Sequence, residues 1–250
     1  MSGGLLAFAR GSKGESVSVL IVSSTLFEVG ELIYRESGRR VEGMGIPGTL
    51  CKGRRCDVLV SGVGQSLCGI HVTRALMEGS YSHVIQAGIA GSFTSDLPLG
   101  AVAVVREEAF GDLGAEDHGT FLDLFDMGLL SPDRPPFKER SLVAPESALA
   151  SLSTVPRVKS VTVNRVLSEP RSIKWIRETY APHIVNMEGA ALFYAALTHG
   201  VSFTALRSVS DMVGPRDKSS WRIPEAVHAL DLALEPVVDE LFAGVTAKGF

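Results

Sequence analysis

The chain has 250 residues, 45% of them hydrophobic, with 24 basic against 28 acidic side chains and a formal net charge of −4. That length and apolar content supply one substantial core, and the near balance of charge, with no basic stripe, argues against nucleic acid as a partner. The three cysteines, Cys51, Cys56 and Cys68, are too few and too irregularly spaced for a disulfide framework, so a reducing cytoplasm is the expected setting.

The first sixteen residues are rich in Gly and Ser, and their only apolar run, Leu5 to Ala9, is too short for a signal-peptide core or a membrane span. They read as a flexible N-terminal extension, residues 1–16, ahead of a single domain over 17–250 with no membrane association. From Val17 the texture changes to Val-Ser-Val-Leu-Ile-Val-Ser-Ser, the continuous apolar run of a buried parallel strand. Thr25-Leu-Phe-Glu28 then leads into a helix over residues 29–36. A second strand over 57–61 is followed by Gly62-Val-Gly-Gln65 and a helix over 66–78. A third strand over 83–87 precedes the loop Gly88-Ile-Ala-Gly-Ser-Phe93, and a fourth spans 101–106. This repeated strand, turn and helix pattern predicts an α/β fold layered around a largely parallel sheet.

Residues 107–140 are less regular: a Gly- and Asp-containing stretch, a helix-like apolar piece over 121–129 and a Pro-rich turn at 132–136. Their apolar and aromatic content argues against disorder, so they are expected to shape a pocket or a subunit contact. A further strand over 159–163 ends at Asn164, and a short buried strand ends near His183-Ile-Val185. Glu188 then opens a small-residue helix over 189–197 that stops at Gly200. Val201 to Val209 is the last strand, with Ser210 and Asp211 just past its end, and a helix over 223–242 closes the chain after the favourable first-turn Pro224.

Three sharper motifs fail. The third glycine of G-x-G-x-x-G falls on Leu67, which disfavours a nicotinamide enzyme. Cys68 stands where the last glycine of a G-x-S-x-G elbow belongs, which disfavours a serine hydrolase. Cys68 and His71 could share a helix face, but no second ligand pair accompanies them, so no metal is expected. What survives is a set of post-strand positions: Glu28, Ala90 and Gly91, Met187 and Glu188, Ser210 and Asp211. Ligands of open α/β sheets bind outside the carboxyl ends of strands, which brings these positions to one edge. Each also has an ordinary structural reading: an acid at a helix start, a core methionine, a turn aspartate.

Met187-Glu-Gly-Ala-Ala on a helix, followed by a strand ending Arg207-Ser-Val-Ser-Asp211, resembles the signature of the purine nucleoside phosphorylase and nucleosidase superfamily. Thr25-x-x-Glu28, Gly88-Ile-Ala-Gly91, Asn186-Met-Glu188 and Ser210-Asp211 resemble motifs of the methylthioadenosine/S-adenosylhomocysteine nucleosidases. Glu108-Ala-Phe-Gly-Asp-Leu-Gly-Ala-Glu-Asp117, Phe121-Leu-Asp-Leu-Phe125, Thr162-Val-Asn164, Val213-Gly-Pro-Arg-Asp217 and Trp221 with Ile223-Pro224 look more like the futalosine hydrolases of menaquinone biosynthesis. The resemblance covers nearly everything from Val17 onward. It implies a three-layer α/β/α sandwich with a mixed, largely parallel sheet, a homo-oligomer, and hydrolysis of the N-glycosidic bond of futalosine to release hypoxanthine without a cofactor. The alternatives are a methylthioadenosine/S-adenosylhomocysteine or aminodeoxyfutalosine nucleosidase, and a nucleoside-binding protein without turnover.

Residue types suit that chemistry. Breaking a ribosyl N-glycosidic bond builds positive charge on the sugar and negative charge on the departing purine. Asp211 as the acid near N7 and Glu28 as the residue orienting water fit those needs, and Glu188 would accept both ribose hydroxyls while Met187 packs on the sugar. Ser210 and Arg207 would support these groups. By analogy with the family, the backbone at Thr162 and Val163 would read the purine, and Arg216 or Arg165 would bind the benzoate carboxylate of a futalosine-type substrate. Phosphorylases need cationic phosphate anchors, but the loop Ser23 to Gly30 has no basic residue and carries Glu28, which favours water as the nucleophile. Asp211 is a departure, because futalosine hydrolases often carry Asn there and the adenine-releasing relatives carry Asp.

Overall fold

Alternation along the first strand sets up both faces of the fold. In the computed structural model, which describes residues 18–38 and 46–246, β1 (Ser18–Ser23) turns Leu20 and Val22 to one side and Val19 and Ile21 to the other, all four buried. The Val19 side is covered by α1 (Leu26–Ser37) and, at the far end of the chain, by the helix Ile223–Thr246, through Leu32, Ile33, Leu230 and Leu234. The Leu20 side is covered by α2 (Gln65–Glu78) and the helix Gly189–His199, through Val72, Leu76, Leu192 and Phe193. This is the expected α/β/α layering, and burial on both faces is why the strand reads as unbroken apolar sequence. The expected extension over residues 1–16 lies outside the described residues.

β2 (Thr49–Cys51) pairs antiparallel with β3 (Cys56–Val60), β3 parallel with β1, and β1 parallel with β4 (Tyr81–Ser92). β5 (Val102–Phe110) is followed by a separate hairpin of β6 (Gly114–Asp117) and β7 (Thr120–Asp123), then by β8 (Phe137–Lys138) and β9 (Ser141–Val143), which extend the main sheet from β5. β10 (Arg157–Thr162) runs parallel to β5, and after α3 (Pro170–Tyr180) the short β11 (Ile184–Asn186) runs parallel to β10. Past α4 (Gly189–His199), β12 (Ser202–Met212) pairs parallel with β4 on one edge and antiparallel with β5 on the other. β11 closes the ring by pairing antiparallel with the end of β4, Ile184 opposite Ser92 and Val185 opposite Gly91. The sheet therefore curls onto itself through β4, β12, β5, β10 and β11, and α5 (Ile223–Thr246) packs across its outside.

Several elements differ from their sequence reading. Gly88 to Ser92, expected as loop, continues β4, because β12 and β11 supply hydrogen-bond partners on either edge. Ser210 and Asp211 likewise lie within β12, where Ser210 is the extra residue of a bulge: Val209 faces Ala90 and Asp211 faces Gly91. The apolar piece over 121–129 is no helix. Asp123 accepts from the N–H groups of Phe125 and Asp126, each at 2.8 Å, which folds a turn, while Phe121 packs at a tilt against Trp175 with ring centroids 4.5 Å apart. Helix α3 escaped the sequence reading: it buries Ile176 alone, so its apolar stripe is thin, although Pro170 marks its start.

A charged network fastens α5 to the sheet edge. Arg55 binds Glu36 of α1, which is 1% exposed, and also Glu235 at 2.9 Å and Asp239. Arg35 binds Asp231 through both terminal nitrogens, at 2.8 and 2.7 Å. Removing Arg55 strands a buried carboxylate, so Arg55→Ala should lower stability by about 2–3 kcal/mol. Urea denaturation checks this, and a loss under about 0.5 kcal/mol would mean that Glu36 needs no partner.

Candidate active site

The curled sheet opens at its end into a cavity of about 1250 Å³, walled by the N-terminal turns of α1 and α5 and by the ends of β4, β11 and β12. Glu28, Ala90, Gly91, Val163, Met187, Glu188, Ser210 and Asp211, all expected site positions, lie on its wall. Glu28, Ala90, Gly91 and Asp211 arrive there at the carboxyl ends of parallel strands. Glu188 does not follow that rule, since β11 runs against β4; closure of the ring places it there.

Glu28 sits at the third position of α1 and forms half of a capping box, its Oε2 accepting the Thr25 N–H at 2.9 Å. Hydroxyls of Ser23, Ser24 and Thr25 donate to the same oxygen at 3.0, 2.5 and 3.0 Å. The other oxygen, Oε1, accepts from the Ile89 N–H at 3.2 Å. A bare cap would end with the first oxygen; here the second is held beside the cavity as well. The guanidinium of Arg207, 2% exposed, and Glu28 Oε1 both come up against Gly88, where a Cβ would lie 3.3 Å from Nη1 and 3.2 Å from Oε1. Glycine at 88 leaves room for that approach.

Glu188 is the N-cap of α4, and its Oε1 accepts the Gly64 N–H at 2.9 Å. Gly64, at φ 93°, belongs to the Gly62-Val-Gly-Gln65 turn that failed as a dinucleotide loop; its backbone serves a carboxylate of this chain instead. Burial pushes the Glu188 carboxyl up to about 7, a rise to which nearby Glu28 adds and which the Gly64 N–H and Arg207 oppose. Asp211 Oδ1 accepts from Ser210 Oγ at 2.7 Å, and Ser210 also donates to the Ala90 carbonyl at 3.3 Å. Its Oδ2 lies over the bare Cα of Gly91, where a Cβ would stand 3.2 Å away.

Three expected positions lie elsewhere. Thr162 is fully buried beneath the wall, its hydroxyl tied to Asn186 and to the Ala190 N–H, because the last residue of β10 is enclosed by β5, β11 and α4. The wall beyond Val163 is made by Val166 and Leu167. Arg216 is exposed and rests 5.6 Å above the Trp221 ring; Trp221 lines the cavity and Arg216 does not. Arg165 is exposed and off the wall too. Phe27, Trp221, Pro224, Val227 and His228 also line the cavity, as an aromatic and aliphatic part of the wall absent from the sequence reading as a site. No local motif announces it, because α1 and α5 meet there only after folding. Among the described residues, no lysine or arginine lines the cavity.

The sequence model of the phosphorylase superfamily matches residues 19–239, and the chain belongs to that superfamily. Within it the chain is similar to the futalosine hydrolase of Streptomyces coelicolor, 34% identical over 192 residues that make up 73% of this chain and 80% of that protein. It is also similar to the 5′-methylthioadenosine/S-adenosylhomocysteine nucleosidase of Shewanella frigidimarina, 27% identical over 183 residues, 69% of this chain and 77% of that one. The solved futalosine hydrolase of Helicobacter pylori shares the fold, with a TM-score of 0.72 at 19% identity over 90% of this chain and 98% of that one.

The raised Glu188 carboxyl has a consequence for stability. Between the ordinary value of 4.5 and about 7 the folded chain keeps a proton that the unfolded chain has released, so this group's contribution falls as pH rises through that window. Glu188→Gln removes the titration but keeps an acceptor for Gly64. The melting temperature of the variant minus that of the parent should grow from about pH 4.5 to about pH 7 and then level off. A difference independent of pH would show that Glu188 ionises as freely folded as unfolded.

Proposed function

We propose that the chain is a purine nucleosidase that hydrolyses the N-glycosidic bond of futalosine, releasing hypoxanthine and dehypoxanthine futalosine. The observation that carries this reading is the convergence of three separately positioned carboxylates, Glu28, Glu188 and Asp211, on one cavity. The purine lies toward Val163, Val166 and Leu167 on one side and Asp211 on the other, and the ribose lies over Met187. Glu188 accepts the 2′- and 3′-hydroxyls and places negative charge near the developing oxocarbenium. Glu28 takes a proton from a water aimed at C1′; the C1′–N9 bond breaks as that oxygen bonds to C1′, and Asp211 donates a proton to the departing purine at N7.

Water is favoured over phosphate as nucleophile because a phosphate would meet Glu28 and Glu188 with no cationic side chain among the described lining residues. The apolar wall of Phe27, Trp221, Pro224 and Val227 suits an aromatic 5′-substituent. The similarity to a futalosine hydrolase at 34% identity supports the same substrate. A second reading, cleavage of 6-amino purine nucleosides such as aminodeoxyfutalosine or methylthioadenosine, draws support from Asp211. A protonated Asp donates to N7 while its other oxygen accepts from a 6-amino group; a 6-oxo purine sets acceptor against acceptor. We read the chain as one domain working as a cytoplasmic homo-oligomer, and the exposed Ile70, Met77 and Tyr194 between α2 and α4 support a subunit contact there.

Turnover of futalosine, aminodeoxyfutalosine, methylthioadenosine and inosine, with and without phosphate, tests the reading: futalosine should be cleaved fastest and phosphate should change nothing. Phosphate-dependent release of ribose 1-phosphate products would overturn hydrolysis. Glu28→Gln should slow turnover by about 10² to 10⁴ with the fold retained. Asp211→Asn should move the ratio of kcat/KM toward 6-oxo over 6-amino substrates by about one to two decades, the size of an unsatisfied polar contact. Movement in the other direction would show that Asp211 does not read the base.

A further inference from the structure

Behind the turn that carries Met187 and Glu188 lies an acid that none of the steps above uses. Glu108, on β5, is 0% exposed, and its Oε1 is buried without a hydrogen-bond partner. Its Oε2 accepts from Asn186 Nδ2 at 2.9 Å, and the same amide nitrogen donates to Ser160 Oγ at 2.8 Å. The opposite end of that amide, Oδ1, accepts the N–H of Glu188 at 2.9 Å and of Gly189 at 2.5 Å, together with the Thr162 hydroxyl at 3.3 Å. Thr162 Oγ1 takes the Ala190 N–H at 2.8 Å. The first N–H groups of a helix have no intrahelical acceptor, so the start of α4 hangs on these two side chains.

An amide holds the turn in one orientation only. Rotated by half a turn, Asn186 would point its NH₂ at the N–H groups of Glu188 and Gly189, donor against donor. The oxygen of Glu108, as an acceptor, selects the orientation in which Oδ1 faces the turn. The contact is also tight, since a methyl group at Gly189 would overlap the Glu108 carboxyl. Burial holds that carboxyl up at about 7, an unfavourable placement that an aliphatic side chain in a purely packed position would avoid.

We propose that Glu108 is a positioning residue, which fixes the Asn186 amide and through it the turn 186–189, so that Glu188 meets the sugar hydroxyls in register. This rests on the reading of Glu188 as the ribose-binding group.

The test compares kcat/KM for futalosine and for its 2′-deoxyribosyl analogue in the parent, Glu108→Ala, Glu108→Gln, Asn186→Ala and Glu188→Gln. Glu108→Ala and Asn186→Ala, which cut the same link from either side, should each lower the ribosyl value by about 10- to 100-fold, the loss that follows a misplacement on the order of 1 Å. The 2′-deoxyribosyl value, for which Glu188 has only the 3′-hydroxyl left to accept, should fall by less, so the preference for ribose narrows, while Glu108→Gln, which keeps an accepting oxygen, retains that preference. Equal losses on both substrates, or a Gln variant as damaged as the Ala variant, would overturn the proposal. If Glu108→Ala does not fold by near-ultraviolet circular dichroism, Asn186→Ala decides by the same pattern. Glu188→Gln separates the two ideas. If it leaves the ribose preference intact, the sugar assignment fails and the proposal with it; if it abolishes the preference and neither Ala variant changes it, the positioning role alone fails.

Discussion

Strand β12 is hydrogen-bonded to β4 along one edge and to β5 along the other, and β11 ties the end of β4 to β10. This closure is the constraint on which the rest depends. A closed ring leaves these strands no free edge, so their backbone groups are satisfied without a covering element. It also converts an open edge into a mouth. Groups on strands of opposite direction, Asp211 on β12 and Glu188 after β11, then face one another across a cavity instead of lying at opposite ends of a sheet.

Closure alone would leave the side chains poorly aimed, and each is aimed by a different local device. A capping box and three hydroxyls hold Glu28, a bulge at Ser210 turns Asp211 toward Gly91, and a helix start hung on Asn186 carries Glu188. Glycines at 88 and 91 stand where the acids come nearest the β4 backbone. Each device fixes its residue against a backbone already pinned by the ring, which limits the reorganisation left for the moment of reaction.

The electrostatic character follows from the same enclosure. Burial drives the Glu188 carboxyl up to about 7, with nearby Glu28 adding to the rise, and burial alone does the same to Glu108 behind the wall. The buried Arg207 offsets part of this from behind the wall. Such a site, with no lysine or arginine among its described lining residues, is hostile to anionic nucleophiles and suited to stabilising a cationic sugar, and it holds the Glu188 carboxyl in a condition that a position serving stability alone would not.

How much of this could be read in advance depends on the range of the interaction. The apolar run of β1, the Met-Glu-Gly-Ala-Ala start of α4, the Gly200 stop and Pro224 are local signals, and each falls at the element expected of it, because caps, breakers and burial on both faces act within a few residues. Glu28, Glu188 and Asp211 were legible as post-strand acids for the same reason. Helix α3, with one fully buried residue, left too thin a stripe to detect, and the segment 121–129 spends its apolar residues on contacts such as Phe121 with Trp175. The sequence by itself determined the layered α/β class and that Glu28, Glu188 and Asp211 come to one cavity. The tertiary structure alone decided that β4 and β12 run on past their apolar cores, that Thr162 lies under the wall while Val166 and Leu167 form it, that Arg216 stays outside, and that Phe27 and Val227 line the same cavity. Those outcomes depend on pairing between strands and helices far apart in the chain, whose partners no local spacing can specify.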